Sequence, residues 1–151
     1  MQWQSIAGPG VEAPDQGKLP AAVSLPLRTI LASHTDCRGV WLAVWRGYGW
    51  DYKSLVPVTG FIETGQREWD LFRAPLDLMD MPFYEGVNQT ANMVWSDDRS
   101  WCLASEIDLN TTYIGGPAPL IEDLLEADDL EVWPAQLDDD VTIHADTLDV
   151  G

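Results

Sequence analysis

The chain has 151 residues, of which 46% are hydrophobic and 22% are charged, so it can bury a large core and is not intrinsically disordered. Its 25 acidic and 8 basic residues give a net charge of -17, which argues against direct binding to nucleic acid or anionic membranes. No apolar run reaches the roughly 18 residues of a membrane span, and the first residues lack a signal-peptide pattern. We therefore expect a cytoplasmic protein in which Cys37 and Cys102 are free thiols.

The negative charge is concentrated in the last third of the chain. Residues 1–99 contain 12 acidic residues and all 8 basic ones, whereas residues 100–151 contain 13 acidic residues and no Lys or Arg. Such a surface attracts a basic partner at low ionic strength. The alternative is that the acidic residues only keep a chain with eight tryptophans soluble.

The first third of the chain predicts an arm, a helix and a buried strand. Residues 1–20 contain three Gly and three Pro, which is typical of an extended arm and not of a domain. Apolar residues at helical spacing in residues 21–34 predict a helix that starts near Ser24, so that Pro26 is tolerated. Residues 39–46 have apolar side chains at both alternating positions, which predicts a central strand covered on both faces.

The middle of the chain predicts two further strands and a long loop. The first strand, over residues 55–62, is weak because Pro57 and Gly60 interrupt it. The second, over residues 68–73, ends before an Ala-Pro pair. Residues 76–92 show no period, which favours a loop or a short irregular helix.

A hairpin is predicted next. Residues 93–95 and 101–108 are its strands, and residues 96–100 are its turn, whose aspartates can accept backbone hydrogen bonds. In the second strand Trp101 and alternate residues after it face the core, while Cys102, Glu106 and Asp108 face outward. We expect Arg99 to hold this turn to the sheet as a planar fork.

The last third predicts a helix, a strand and a tail. Leucines and an isoleucine form an apolar stripe at helical spacing over residues 117–126, residues 130–133 offer a last strand, and residues 138–151 form an acidic tail. The sum is a single α+β domain over residues 21–137. It has two main helices and a mostly antiparallel sheet of about five strands.

Carboxylates of the hairpin raise the question of a metal-dependent active site. Asp97 or Asp98, with Glu106 and Asp108, offers the oxygen ligands that Mg²⁺ takes. A nuclease built on such a site also needs a basic group, and a chain of -17 would repel its polyanionic substrate. We therefore favour a solvated strand face.

Thiols and imidazoles allow two other chemistries. His34 and Cys37 have a permissible spacing for zinc, with Cys102 and His144 as scattered partners, but a single such pair is weak support for a zinc site. Acidic neighbours suppress the thiolate that a nucleophilic Cys102 would need. We therefore predict no catalytic residue, no metal and no cofactor.

Three sequence blocks resemble a family of small uncharacterised bacterial proteins of the high-GC Gram-positive type, which share a WxxDRxWC block. They are GVWLAVWRGYGW (39–50), REWDLFRAPLDL (67–78) and VWSDDRSWCLASEIDLNTTYIGGPAPLIEDLL (94–125). The resemblance implies a single compact domain in a bacterial cytosol, and no particular activity. It also implies that a set of residues belongs to the family pattern, namely Trp95, Asp98, Arg99, Trp101, Cys102 and the Gly115-Gly116 turn.

These features favour a non-enzymatic interaction protein of the immunity, antitoxin or inhibitor type. It would bind a basic protein surface through residues 122–149, including Asp128, Asp129 and Glu131, together with exposed tryptophans. The first alternative is a small-ligand-binding or enzymatic domain, whose pocket would be formed by Trp45, Tyr48, Trp95, Asp98, Arg99 and Glu106. The second alternative is a DNA mimic, which requires carboxylates spaced like phosphates.

Overall fold

An antiparallel sheet with two helices organises the chain. The structure, a computed structural model, describes residues 16–36, 39–49, 51–108, 110–136 and 138. The strands lie in the order β2-β3-β1-β4-β5-β6. In chain order the elements are α1 (Ala21–Ser33), β1 (Gly39–Trp45), β2 (Val58–Thr64), β3 (Arg67–Pro75), β4 (Met93–Ser96), β5 (Cys102–Ser105), β6 (Thr112–Gly115) and α2 (Ala118–Glu126). The predicted α+β class is confirmed, and the described residues form six strands instead of about five.

Strand β1 is an inner strand of the sheet. It pairs with β3 along its whole length and with β4 over four residues. Val40, Leu42 and Val44 are fully buried on one face of β1, and Ala43 is fully buried on the other. The inner position predicted for this strand is therefore confirmed, although Trp41 retains partial exposure on the second face.

Both helices pack on the face of the sheet that carries Leu42. Leu27 and Leu31 of α1 and Leu120 and Leu124 of α2 join one apolar core with that face. Neither helix in the described part of the chain has the length and apolar character that a membrane crossing requires.

Helix α1 begins one turn earlier than predicted, at Ala21 instead of near Ser24, so that Pro26 lies inside it. A proline has no N–H to donate to the carbonyl four residues earlier, which here belongs to Ala22. Because Ala22 is exposed, water can bond its carbonyl in place of the missing donor.

The segment between β3 and β4 is a loop, as predicted, but it contributes to the core. It contains one short 3₁₀ turn, Leu76–Leu78, and an isolated bridge between Tyr84 and Val87. Three of its apolar side chains, Met79, Met81 and Phe83, are buried in the core. The absence of a sequence period therefore reflects irregular backbone and not exposure.

Two predictions near the C-terminal end were wrong. The short strand β6 was not predicted, because it has only four residues and turn-forming residues flank it in the sequence. Residues 130–133 do not form a strand: Leu130 and Val132 pack against the core and Trp133 is exposed, but these residues have no partner strand within the described ranges. Residues 1–15 of the predicted arm and 139–151 of the predicted tail lie outside the described residues.

The link between Trp101 and Thr35 provides a test of this packing. Trp101 is 2% exposed, and its indole N–H donates to Thr35 Oγ1 at 2.8 Å. We expect Trp101→Phe to lower the free energy of unfolding by about 1–3 kcal/mol, because it leaves a cavity and removes this hydrogen bond. The measurement is urea denaturation. Trp133→Phe, at a position that is 78% exposed, is the control and should change stability by less than about 0.5 kcal/mol; equal midpoints for the two variants would contradict the assignment.

Candidate functional site

A buried asparagine positions the C-terminal end of β1. Asn92 is 1% exposed, and its backbone N–H donates to the Ala43 carbonyl at 2.9 Å. Its Oδ1 accepts from the Trp45 N–H at 3.0 Å, while its Nδ2 donates to the Gly17 carbonyl at 2.8 Å and to the Tyr48 hydroxyl at 2.9 Å. One side chain thus joins the start of the described chain, the end of β1 and the turn after it.

Trp45 and Tyr48 pack together beside this asparagine. Their ring centroids are 5.2 Å apart in an edge-to-face arrangement. The indole of Trp45 lies against Gly47, where any side chain would collide with it. Burial raises the pKa of the Tyr48 phenol, so at neutral pH Tyr48 is a neutral hydrogen-bonding group.

Arg67 connects the β2–β3 hairpin to the turn after β5. Its guanidinium donates to Glu106 and to Asp108, the latter at 3.3 Å. Burial opposes ionisation of Glu106, but hydrogen bonds from Arg67 and from the Asp108 N–H outweigh it and hold the pKa of Glu106 below its ordinary value. The prediction that Glu106 and Asp108 project from a strand is wrong, because β5 ends at Ser105.

Arg46 and Asp70 form a second charged group on the other face of the sheet. Arg46 Nε donates to Asp70 Oδ1 at 2.7 Å, and the Tyr52 hydroxyl donates to Asp70 Oδ2 at 2.6 Å. Tyr84 stacks on Tyr52, and burial raises the pKa of Tyr84 to about 12. Both oxygens of the buried Asp70 are therefore satisfied, which makes this network a structural anchor for the segment after β1.

An open cleft of about 450 Å³ lies between these two charged groups. The turn after β1 and the β2–β3 hairpin supply its lining residues, which are Trp45, Arg46, Gly47, Glu63, Gly65, Gln66, Arg67 and Glu68. Glu63 and Glu68 are direct cross-strand partners in the hairpin. Like charges directly opposite each other repel, and Arg46, 3.8 Å from Glu68, offsets this repulsion in part.

The turn at residues 96–100 lies at the opposite end of the sheet. Asp98 accepts hydrogen bonds from the Ser96 hydroxyl at 2.6 Å and from the Ser100 N–H at 3.0 Å, which lower the pKa of the Asp98 carboxyl. Arg99 adopts a left-handed backbone conformation, with φ 58°, and is exposed. Asp98 therefore caps its own turn, as predicted for an aspartate in this position.

The fork that holds this turn to the sheet is Arg73 and not Arg99. Arg73 Nε donates to Asp97 Oδ1 at 3.1 Å, whereas Arg99 makes no ion pair within the described residues. The Arg73–Asp97 pair lies against Gly39, where a side chain would collide with both partners. The role predicted for Arg99 is wrong, because the cross-strand position of Arg73 places its guanidinium closer to the carboxylate.

No metal centre is evident in the described part of the chain. No group of three or more His, Cys, Asp or Glu residues there is arranged to hold an ion. His34 Nε2 instead lies 2.6 Å from Asp123 Oδ2, linking α1 to α2, and Cys37 and His144 lie outside the described residues. Partial burial of the sulfur raises the pKa of the Cys102 thiol, which disfavours the nucleophilic thiolate.

The acidic surface comprises exposed acidic and large apolar residues of α2 and of the segment that follows it. Its members are Glu122, Leu125, Glu126, Asp128, Asp129, Glu131 and Trp133. The one hydrogen bond that its side chains make in the described part of the chain runs within the surface, from the Trp133 indole to Glu131 at 3.3 Å. The surface therefore combines five carboxylates with two exposed apolar side chains and no cation.

The structure divides the six residues that were predicted to form one pocket. Trp45, Tyr48 and Glu106 lie at the cleft end of the sheet, whereas Trp95, Asp98 and Arg99 lie toward the other end. The seven residues of β1 separate the two ends by roughly 20 Å at the rise of an extended strand. Three important residues at the cleft end were missed, namely Arg67, Asp70 and Asn92.

Comparison with known proteins gives no matching family model, no match among curated proteins and no match among solved structures.

The role of Asn92 can be tested with a nearly isosteric change. Asn92→Asp keeps an acceptor for Trp45 but places an oxygen against the Gly17 carbonyl, so we expect a loss of about 2–4 kcal/mol at neutral pH. Part of the loss should be recovered as pH falls, because a protonated carboxyl can donate to Gly17. Denaturant unfolding at two pH values measures both effects. Asn88→Asp, at an exposed position of the same loop, is the control, and a similar loss there would refute the role of Asn92.

The depressed pKa of Glu106 predicts an acid-dependent contribution to stability. Because its folded pKa lies below the unfolded value of about 4.3, the contribution is present above that pH and is lost as pH falls through the folded pKa. We expect Glu106→Gln to make stability fall less steeply over this acid range. Unfolding midpoints measured from about pH 3 to about pH 7, a range that brackets the ordinary glutamate pKa, check this. Glu85→Gln, which removes an exposed carboxylate without an ion pair in the described ranges, should leave the slope unchanged.

Proposed function

We propose that this is a non-enzymatic interaction protein of the immunity, antitoxin or inhibitor type, which binds a basic surface of another protein through its acidic surface. The observation that carries the proposal is the exposure of Trp133 and Leu125 in a segment whose exposed carboxylates at positions 122, 126, 128, 129 and 131 form no ion pair with Lys or Arg within the described residues. From the sequence alone we also propose that the protein is cytoplasmic and that it belongs to the family of small bacterial proteins whose sequence blocks it resembles.

The distribution of the basic residues supports this proposal. Arg28, Arg46, Arg67 and Arg73 each form an ion pair with a carboxylate from the sheet or its loops. Among the described residues, no ion pair involves a carboxylate of the acidic surface, so these carboxylates stay available to an external cation. Such a surface accelerates association with a basic partner, and this acceleration weakens as ionic strength rises.

The exposed apolar residues indicate what kind of contact the acidic surface makes. A tryptophan surrounded by polar residues is a frequent hot spot of protein–protein interfaces, because burying its large ring contributes most of the binding energy. The DNA-binding groove of a protein contacts the phosphates of the DNA backbone, which carry no apolar rings. Leu125 and Trp133 therefore favour an ordinary protein interface over DNA mimicry.

The alternative is a small-ligand or enzymatic pocket, and only those of its predicted residues that lie at the cleft end of the sheet remain close together. Trp45 lines the cleft, Tyr48 and Glu106 lie beside it, and the hairpin residues Asp98 and Arg99 are too distant to take part. The two arginines of the cleft already bind carboxylates of the chain. This arrangement gives the alternative less support than the acidic surface gives to partner binding.

Charge neutralisation with a matched control tests the proposal. One variant combines Glu122→Gln, Glu126→Gln, Asp128→Asn and Asp129→Asn; the control removes the same charge elsewhere through Asp36→Asn, Asp51→Asn, Asp77→Asn and Glu85→Gln, which are also exposed. Tagged proteins are used to capture partners from the native host, and the dissociation constant of each captured partner is then measured against salt. We expect about a tenfold or greater loss of affinity for the first variant and a shallower salt dependence, with little change for the control.

Trp133→Ala separates the apolar part of the contact from the electrostatic part. It should weaken the same partner by about tenfold or more without changing the salt dependence. Equal affinities for wild type and both charge variants, or for wild type and Trp133→Ala, would refute the acidic surface as the binding site.

A further inference from the structure

The outer edge of β2 is the open edge of the sheet. Within the described residues β2 pairs with β3 alone, and every residue of β2 except Ile62 is exposed. Val58 and Phe61 are 47% and 52% exposed, and Leu55 just before the strand is also exposed. The opposite edge strand, β6, is shorter and mostly half-buried, so the two edges of the sheet differ in accessibility.

The backbone of β2 presents hydrogen-bonding groups to solvent at this edge. Residues Thr64 and Arg67 close a two-residue turn in which Gly65 has φ 60°. Because a closing pair of this kind is hydrogen-bonded and the antiparallel ladder alternates, the N–H and C=O groups of Phe61 and Glu63 point away from β3. A strand laid against β2 would meet both residues in register.

Protection of this edge is limited to its first half. Pro57 precedes the strand, and an irregularity in register lies between Val58 and Gly60. From Gly60 to the turn the pairing is regular, and Glu63 is the only charged residue of β2. Natural edge strands of this kind normally carry lysines, bulges or covering segments that prevent pairing, and the second half of β2 has none of these within the described residues.

The negative charge of Glu63 and Glu68 beside the edge of β2 favours a basic strand as the binding partner. Glu63 makes no ion pair within the described ranges and lies directly opposite Glu68, whose contact with Arg46 is long, at 3.8 Å. Both glutamates line the cleft described above. An ammonium or guanidinium group beside Glu63 would relieve the repulsion between them.

We infer that the free edge of β2 binds an extended segment of another, basic protein as a seventh strand, with a Lys or Arg of that segment placed beside Glu63. A second copy of this chain is a poorer occupant, because it would bring another net charge of -17 and another acidic hairpin to the same edge. The inference does not rest on the acidic surface, since no residue of β2 or of the cleft belongs to that surface.

Site-specific photo-crosslinking in the native host identifies the occupant. Phe61 is replaced by p-benzoylphenylalanine, and the same replacement at Val87, which is exposed outside β2, is the control. We expect an adduct at position 61 only, mapped by mass spectrometry to a segment that contains Lys or Arg in a different protein. An adduct with a second copy of the chain, an adduct without a basic residue, or no adduct specific to position 61 would overturn the inference.

The mapped segment is then tested as a synthetic peptide. We expect Glu63→Gln combined with Glu68→Gln to weaken its affinity by about tenfold, while Glu122→Gln combined with Glu126→Gln leaves the affinity unchanged. Hydrogen exchange should slow at the amides of Phe61 and Glu63 when the peptide binds, as strand addition requires. Unchanged exchange at both amides, or equal affinity for the first double variant and wild type, would reject strand addition by a basic segment. If only the acidic-surface variants bind their partner as tightly as wild type, the proposed function is refuted and the inference about β2 is not.

Discussion

The buried amide of Asn92 is the interaction on which the cleft end of the molecule depends. A primary amide offers two donors and one acceptor, and at 1% exposure each needs a partner in the protein. Here the acceptor fixes the end of β1 at Trp45, and the donors fix Tyr48 and the carbonyl of Gly17. Three segments that are far apart in sequence are thus held together by one buried side chain. Trp45, which lines the cleft, is fixed by it.

The ion pairs determine where the net charge of the molecule is displayed. Arginines 46, 67 and 73 are bound to carboxylates of the sheet and its turns, so part of the negative charge of the sheet region is offset. Because no Lys or Arg occurs after Arg99, the carboxylates of the acidic surface are left uncompensated. The acidic surface is therefore a consequence of how few cations the chain has and of where the sheet uses them.

Local patterns in the sequence predicted the elements but not how they converge. The helices, the inner strand β1 and the hairpin turn were predictable because periodicity and turn chemistry are properties of neighbouring residues. Trp45 and Tyr48 stay together because they are three residues apart, whereas Arg67 meets Glu106 only through the strand order β3-β1-β4-β5. A single sequence does not encode that order in any local pattern, so the predicted pocket combined residues from both ends of the sheet.

The two proposed contact surfaces would act on different steps of association. Carboxylates of the acidic surface act over roughly 8 Å at physiological ionic strength, so they affect the rate at which a basic partner arrives. Backbone pairing along β2 acts only at contact, and it would determine how slowly a bound segment leaves. The acidic surface and β2 share no residue: β2 is one edge strand of the sheet, whereas α2 follows the other edge strand, β6, in the chain. The two proposed contacts are therefore separable, because a change in the carboxylates of one leaves the residues of the other intact.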